Sequence, residues 1–358
     1  MYTLKQLITV GILFIILPLT GQNFRNYSNE FLNIGVDAAS LGLGKSVVAT
    51  SKDVNAMYWN PAGLAAVNDY QGSLMHASYF AGIANYNFAS FAMPVDAVSS
   101  LGFSVIRFGV DDILNTTELI DSQGNINYDK ISLFSAADYA FSIAYARNSI
   151  RKDLYFGVTT KIIRRIIGDF ANSWGFGFDL GLQFERKKWK FGLVVRDITT
   201  TYNSWSFNQE KFELIKAAIP GKNQELPEKI EMTKPKIQLG VARDFLLGKD
   251  FHLMTELDLN MRFAQTNDII AAEGFSIEPT LGLQLDYSKL VFLRAGIGNI
   301  QKTTEFDGSN STSFQPNIGV GFVYRGIRID YALTNIGSVG NALFSNIFSI
   351  KFDYAFYR

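Results

Sequence analysis

The sequence predicts an all-β protein, a fourteen-stranded antiparallel transmembrane barrel with an N-terminal plug containing short helices. Three observations carry this. Strand-length stretches alternate between apolar residues and small or polar ones. Fourteen such stretches follow one another from residue 70 onward. The segments between them are alternately short and long. Composition agrees: of 358 residues, 47% are hydrophobic, 14% aromatic and only 18% charged, more aromatic and less charged than an ordinary soluble domain.

The stretch Trp174–Glu185 shows the pattern most plainly. Trp174, Phe176, Phe178, Leu180, Leu182 and Phe184 share one face, while Gly175, Gly177, Asp179, Gly181, Gln183 and Glu185 share the other, because side chains alternate across a strand. Soluble sandwiches alternate too, but their strands are usually shorter. A dozen residues with one aromatic face suit a strand that crosses a bilayer with about 9–11 residues.

At the N-terminus, residues 1–21 read as a secretory signal: Lys5, then a mostly apolar run over Leu7–Leu19, then Thr20-Gly21. The run is too short to span as a helix. No later apolar run is long enough for a transmembrane helix. Cysteine is absent, which removes disulfides, thiolate metal sites, cysteine nucleophiles and a lipoprotein anchor.

Residues 22–67 do not alternate. They hold a small-residue piece, Gly35–Gly44, then a helix candidate over Ser51–Trp59 capped by Ser51 or Asp53. Asn60 and Pro61 follow, a good N-cap before a residue suited to the first helical position. This compact segment is expected to fill the barrel as a plug, with residues 68–358 forming the wall. The strands fall at 70–79, 82–93, 99–108, 136–147, 153–165, 173–186, 189–198, 235–246, 250–263, 275–287, 289–300, 314–324, 326–334 and 345–357. Connections after even strands are short, such as Lys187-Lys188 and Ser288. Those after odd strands are mostly long, such as 109–135 and 199–234. Outer-membrane barrels have short periplasmic turns and longer outer loops, so the first strand runs outward and the localisation is the outer membrane of a Gram-negative bacterium. The partner this implies is the lipid bilayer.

Lys+Arg and Asp+Glu both number 33, so no basic excess points to nucleic acid. Polar faces turned inward carry both signs, among them Lys161, Asp179, Glu256, Asp258, Arg294 and Asp330. The frequent inward glycines (Gly175, Gly177, Gly181, Gly240, Gly282, Gly296, Gly319, Gly321) leave room for a plug or a ligand, or relieve crowding.

Asn33–Gly44 and Tyr58-Trp59-Asn60-Pro61-Ala62-Gly63-Leu64 resemble the PorV/PorQ family, within the wider class of FadL-like outer-membrane barrels. The resemblance implies fourteen strands, a plug that includes Asn60, Pro61, Ala62, Gly63 and Leu64, and a non-enzymatic part in type IX protein secretion by binding secreted cargo or the translocon. The alternative is a FadL-like passive channel for hydrophobic small molecules. The ending, Phe356-Tyr357-Arg358, departs from the usual terminal Phe or Trp.

Signs of chemistry are few. Leu43-Gly44-Lys45-Ser46 looks like the end of a phosphate-binding loop, but Ala39 stands where a glycine is needed. His76 and Ser78 share one face of the first strand, as an interfacial Ser–His hydrolase would require; the plainer assignment is ordinary polar positions. His252 belongs to the lumen face, and two distant histidines make no metal site. Glu256 and Asp258 read as members of lumen ion pairs. No catalytic residue, cofactor or metal is assigned. In the longest loop, Phe212, Ile215 and Ile219 recur at helical spacing before Pro220-Gly221, a short helix that packs on its own rim, docks a partner or closes over the mouth. Cleavage after Gly21 predicts a mature chain starting at Gln22. Intact-mass measurement of the membrane-extracted protein should show residues 1–21 missing, whereas an anchor helix would leave the full mass.

Overall fold

A computed structural model describes residues 28–120, 123–149, 153–218, 225–304, 309–334 and 344–354; the expected signal segment and Ile219 lie outside the described residues. The strands are β1 (Gln71–Tyr79), β2 (Ala84–Asp96), β3 (Ser99–Asn115), β4 (Ser132–Asn148), β5 (Leu154–Ile167), β6 (Ala171–Arg186), β7 (Trp189–Arg196), β8 (Thr201–Phe207), β9 (Ile230–Thr233), β10 (Lys236–Leu247), β11 (Phe251–Arg262), β12 (Ile270–Ala272), β13 (Phe275–Tyr287), β14 (Val291–Thr304), β15 (Asn310–Tyr324), β16 (Ile327–Thr334) and β17 (Ser345–Asp353).

Fourteen of these close a ring. Each pairs antiparallel with its neighbours, and β1 pairs with both β2 and β17. This is the barrel the sequence predicts. Three short strands are additions. β8 continues β7 along β6 beyond an interruption at 197–200, β9 continues β10 along the same edge, and β12 is a small arm on β13. The loop expected over 199–234 therefore carries wall of its own. Closure satisfies the backbone polar groups inside the sheet, which hydrocarbon cannot do.

Two aromatic groups mark the periplasmic edge beside the short turns: Trp189 stacks with Phe191, and Tyr70 with Phe91. Trp174, Phe176 and Leu180 are exposed on the outer wall while Gly175, Gly177 and Asp179 are buried inside. The lipid-facing assignment of the apolar face follows.

The N-terminal segment fills the lumen. It contains α1 (Ala38–Gly42), α2 (Ala56–Trp59) and two 3-10 turns, Glu30–Asn33 and Pro61–Ala66. Asn60 ends α2 and caps the second turn, accepting from the Ala62 N–H at 3.2 Å, as the Asn-Pro pair implies. α2 is shorter than expected: Asp53 bonds the Asn55 N–H at 2.9 Å, so the chain turns there before becoming helical. α1 is too short to show any apolar period.

The inward glycines separate into two groups. Gly181, Gly240, Gly282, Gly296 and Gly319 face the plug. A Cβ on Gly282 would lie 2.8 Å from the Leu43 carbonyl oxygen, one on Gly319 would lie 3.2 Å from Gly42 Cα, and one on Gly296 would overlap the Leu43–Gly44 peptide. Gly175, Gly177 and Gly321 instead make room for lumen side chains, those of Asn203, Thr201 and Asp330. Gly296→Val should therefore displace the plug while leaving the wall closed, at a cost of about 1–3 kcal/mol. Limited proteolysis near Leu43 should quicken while heat-modifiable gel mobility, the mark of a folded barrel, stays unchanged.

Candidate functional site: the plugged lumen

The plug is held by polar groups that the wall supplies at fixed heights. On β11, Asp258 Oδ2 accepts from the Val47 and Val48 N–H groups at 2.9 and 3.1 Å. Its neighbour Glu256 accepts from the Ala49 N–H at 2.6 Å and from the Thr50 hydroxyl. Both carboxylates are buried. The expectation that they belong to lumen ion pairs is thus corrected: they satisfy the backbone donors of a turn that has no strand partner, a need that only the folded plug creates.

Asn60 acts as a second tie. Its amide donates to the Val48 and Leu182 carbonyls at 2.8 and 3.0 Å. Pro61 lies against Gly157 and Gly181, and a side chain at Gly63 would strike the Ser51 carbonyl. Ala62 and Leu64 are fully buried, Leu64 beside Met57, Ala144 and Ala146. Each residue of the motif thus has a packing role. Ion pairs complete the seam: Lys351 with Asp53 and Lys52 with Glu185 join plug to wall. Burial pushes the Asp37 carboxyl above its ordinary range, and nearby Asp330 adds to the rise; the Ser349 hydroxyl donates to Asp37 at 3.0 Å.

Other inward charges pair within the wall. Lys161 bridges Asp179 at 2.7 Å and Asp197 at 2.8 Å. Arg294 and Arg328 each meet Asp330 at 2.9 Å. The first cluster sits where β7 breaks. There Asp197 and Thr200 take positive φ, Ile198 turns outward to lipid, and two bonds to β6 bridge the gap, Ile198 N–H to Phe178 O and Asp197 N–H to an Asp179 carboxylate oxygen, each at 2.9 Å.

Two spaces flank the plug. A vestibule of about 830 Å³ opens at the periplasmic end, lined by Lys52, Lys190, Asp244, His252 and Asp286 among others. His252 bonds Asp286 at 2.8 Å and Asp244 at 3.2 Å, a hydrogen-bonded wall residue. On the outer side a cavity of about 70 Å³ lies between Tyr58 and Trp59 of the plug and Arg196, Lys236 and Arg262 of the wall. Lys45, from the phosphate-loop lookalike, donates to the Asn33 carbonyl at 2.9 Å, while Gly44 is pressed against β14. That loop is packing.

Sequence reasoning missed the lining of β1–β5. Here an apolar patch interrupts the polar lining: Met75, Tyr79, Tyr86, Phe88, Ile106 and Ile163 are buried against Phe31 and Val36 of the plug. The Tyr79 and Tyr86 hydroxyls are buried without a hydrogen-bond partner among the described residues. The available signal was Tyr86 and Phe88 at alternate positions of β2, obscured because both faces of β2 carry apolar side chains. At the outer rim, α3 (Gln209–Ala218) forms where the helical spacing predicts. Phe212 is half-buried under the Lys216 ammonium, 5.6 Å from the ring centre, on the helix that also carries Ile215.

No family model matches the chain, and no curated protein matches it in sequence. Solved structures do. The CymD monoaromatic hydrocarbon channel aligns with TM-score 0.53 at 12% identity, covering 89% of this chain and 98% of that one. The toluene transporter TodX of P. putida gives 0.55 at 12%, with the same coverage. A Pseudomonas aeruginosa FadL homologue gives 0.50 at 10%, covering 89% and 98%. The fold is that of the FadL-like barrels. The protein is accordingly an outer-membrane barrel of the Gram-negative type, and its fold-mates are transporters and channels. At these identities the likeness is one of fold, and it lends nothing to the narrower PorV/PorQ resemblance.

Asp258→Ala would leave two buried N–H groups of the plug turn unsatisfied, each costing about 1–3 kcal/mol. A Ser46→Cys reporter in this otherwise cysteine-free chain should then react with a thiol reagent at least several-fold faster than the same reporter with Asp258 intact.

Proposed function

We propose that the protein is a passive channel for small hydrophobic molecules, with the plug as its movable part. The observation that carries this is the apolar lining of β1–β5. A porin for hydrophilic solutes has a polar, water-filled interior, whereas here Tyr86, Phe88, Ile106 and Ile163 form an aromatic and aliphatic inner wall on the outer side. The plug covers this surface, and once the plug moves it would bind apolar solutes by releasing water. Two FadL-like neighbours are named for monoaromatic hydrocarbon and toluene, and the same chemistry suits this lining. The break at 197–200, which interrupts the β6–β7 ladder, is our candidate for the opening toward the bilayer.

The motifs at Asn33–Gly44 and Tyr58–Leu64 support a second reading, a PorV/PorQ-type part in type IX secretion. Cargo or translocon would then meet the outer loops, with Phe212 of the rim helix among the docking residues and Ile215 and Ile219 proposed from the sequence alone. Pull-down from native outer membranes separates the two, because recovery of no secretion component removes the second.

The channel reading has its own test. Ser46 Oγ and Thr280 Oγ1 are 2.8 Å apart across the plug–wall seam, so Ser46→Cys/Thr280→Cys can be locked by oxidation. Toluene entry into liposomes bearing the oxidised protein should fall about tenfold and return on reduction. Equal entry in both forms means that the plug does not gate, and no entry above protein-free liposomes in either form refutes the channel.

A further inference from the structure

From sequence alone His76 and Ser78 read as ordinary polar positions. The structure adds a third residue. Asn87, directly opposite His76 in the β1–β2 register, holds the imidazole Nδ1 through its side-chain oxygen at 2.7 Å. All three point out of the barrel, since their chain neighbours Met75, Ala77, Tyr79, Tyr86 and Phe88 are buried in the lumen. We propose that Ser78, His76 and Asn87 form a hydrolytic site on the lipid-facing wall that cleaves carboxylic-ester lipids of the outer leaflet.

Four observations support it. First, with the Asn87 oxygen accepting, Nδ1 carries the ring proton and Nε2 keeps its lone pair, the tautomer that a base for a serine requires. Nε2 has no hydrogen-bond partner among the described residues. Second, Ser78 stands one same-face position along β1, about 6.8 Å away along the backbone, within the combined reach of the two side chains. No hydrogen bond joins them in this structure; such bonds are often long before substrate binds.

Third, the turn after Ser78 is strained. Phe80, Ala81 and Gly82 all take positive φ, 54°, 55° and 94°, which costs two non-glycine residues about 1–2 kcal/mol each. It folds over the serine, since a Cβ on Gly82 would lie 3.9 Å from Ser78 Oγ. Consecutive backbone N–H groups in such a turn are donors for an oxyanion. Fourth, a groove of about 500 Å³ runs down the outside of the wall from His76 and Asn87, lined by Leu74, Ala89, Val105, Ile329, Phe348 and Ile350. Its polar end faces outward and its apolar end faces the bilayer core, matching a lipid with the ester above and the acyl chain below.

The polar groups are otherwise out of place. A charged or polar side chain on the lipid face is destabilising, and on β1 only Gly72 and Leu74 precede His76 on that face. The row continues: Arg107 pairs with Asn87 across β2–β3 and Tyr139 with Arg107 across β3–β4. Arg107 donates to Asp111 at 2.7 Å and to the Tyr139 hydroxyl at 3.3 Å, placing a guanidinium next to the site where a lipid phosphate would lie.

The chemistry is acyl transfer through serine. Ser78 Oγ attacks the ester carbonyl carbon while its proton passes to His76 Nε2. The tetrahedral intermediate collapses, the carbonyl–alkoxy bond breaks, and the departing lipid alcohol takes that proton. Water then attacks the acyl-serine and gives a proton to His76. The carbon–Oγ bond breaks, Oγ recovers the proton, and a fatty acid leaves. Ser78 and His76 are the catalytic residues; Asn87 is a positioning residue.

The test uses the full chain in detergent micelles containing phosphatidylethanolamine, with free fatty acid as readout and fluorophosphonate labelling as a second. The wild type should release fatty acid and carry the label on Ser78. Ser78→Ala should lose release by about a hundredfold or more and lose the label. Asn87→Leu should lower kcat about tenfold or more and displace the acidic limb of the pH profile, with Asn87→Asp restoring most of the rate. These changes face lipid, so heat-modifiable mobility should remain that of the wild type. Absence of both release and labelling in the folded wild type overturns the proposal, as does a rate indifferent to Ser78→Ala or to Asn87→Leu. The oxidised Ser46→Cys/Thr280→Cys protein should still hydrolyse lipid, which separates this site from the channel.

Discussion

Everything in this molecule depends on one constraint: a backbone N–H or C=O in hydrocarbon has no water to bond. A sheet meets it only by closing on itself. Closure of β1 on β17 then dictates the remainder. The outward face must be apolar, the inward face is left to the polar residues, and β1 starts and β17 ends on the side of the short turns. The alternation of Trp174–Glu185 is the local signature of a global requirement.

Closure creates a second problem, a lumen whose polar wall and filling must satisfy each other. The plug brings irregular backbone into it, with donors that no strand can pair. Glu256 and Asp258 supply acceptors to one turn, and the Asn60 amide crosses to two carbonyls. Glycines at 181, 240, 282, 296 and 319 let the plug backbone approach where any side chain would collide. Breaking such a fit costs more than making it gains, because a buried polar group left alone loses its full solvation. The plug therefore has few alternative positions, and movement requires several bonds to exchange together.

Near its outer end the β1–β3 sector departs from the usual polarity of a barrel at a few positions. Tyr79, Tyr86, Phe88 and Ile106 face inward, while His76, Asn87 and Arg107 face the lipid. The inward residues pack on Phe31 and Val36 of the plug, and the outward polar ones bond one another or Tyr139. Under the channel proposal the inward residues would meet an apolar solute once the plug moves, and under the hydrolytic proposal the outward ones would meet a lipid headgroup and its ester. Both readings concern hydrophobic molecules at the same membrane, approached from opposite faces of one wall.

The strand count, the alternation of short and long connections and the Asn60-Pro61 turn were legible in the chain, because alternation, connection length and capping are local and repeat. Helix α3 was legible for the same reason. The partners of Glu256 and Asp258 were not, since acceptors for plug N–H groups exist only when residues some two hundred positions apart are brought together. Nor was the break at Asp197–Thr200, which positive φ at non-glycine residues does not announce. The pairing of His76 with Asn87 was decided by register, which tertiary closure fixes: one residue of slip would turn Asn87 into the lumen. The sequence by itself determined which residues alternate, and hence that the chain closes into a barrel. Only the tertiary structure decided what each face meets, because that depends on which strands and which plug residues come to lie opposite.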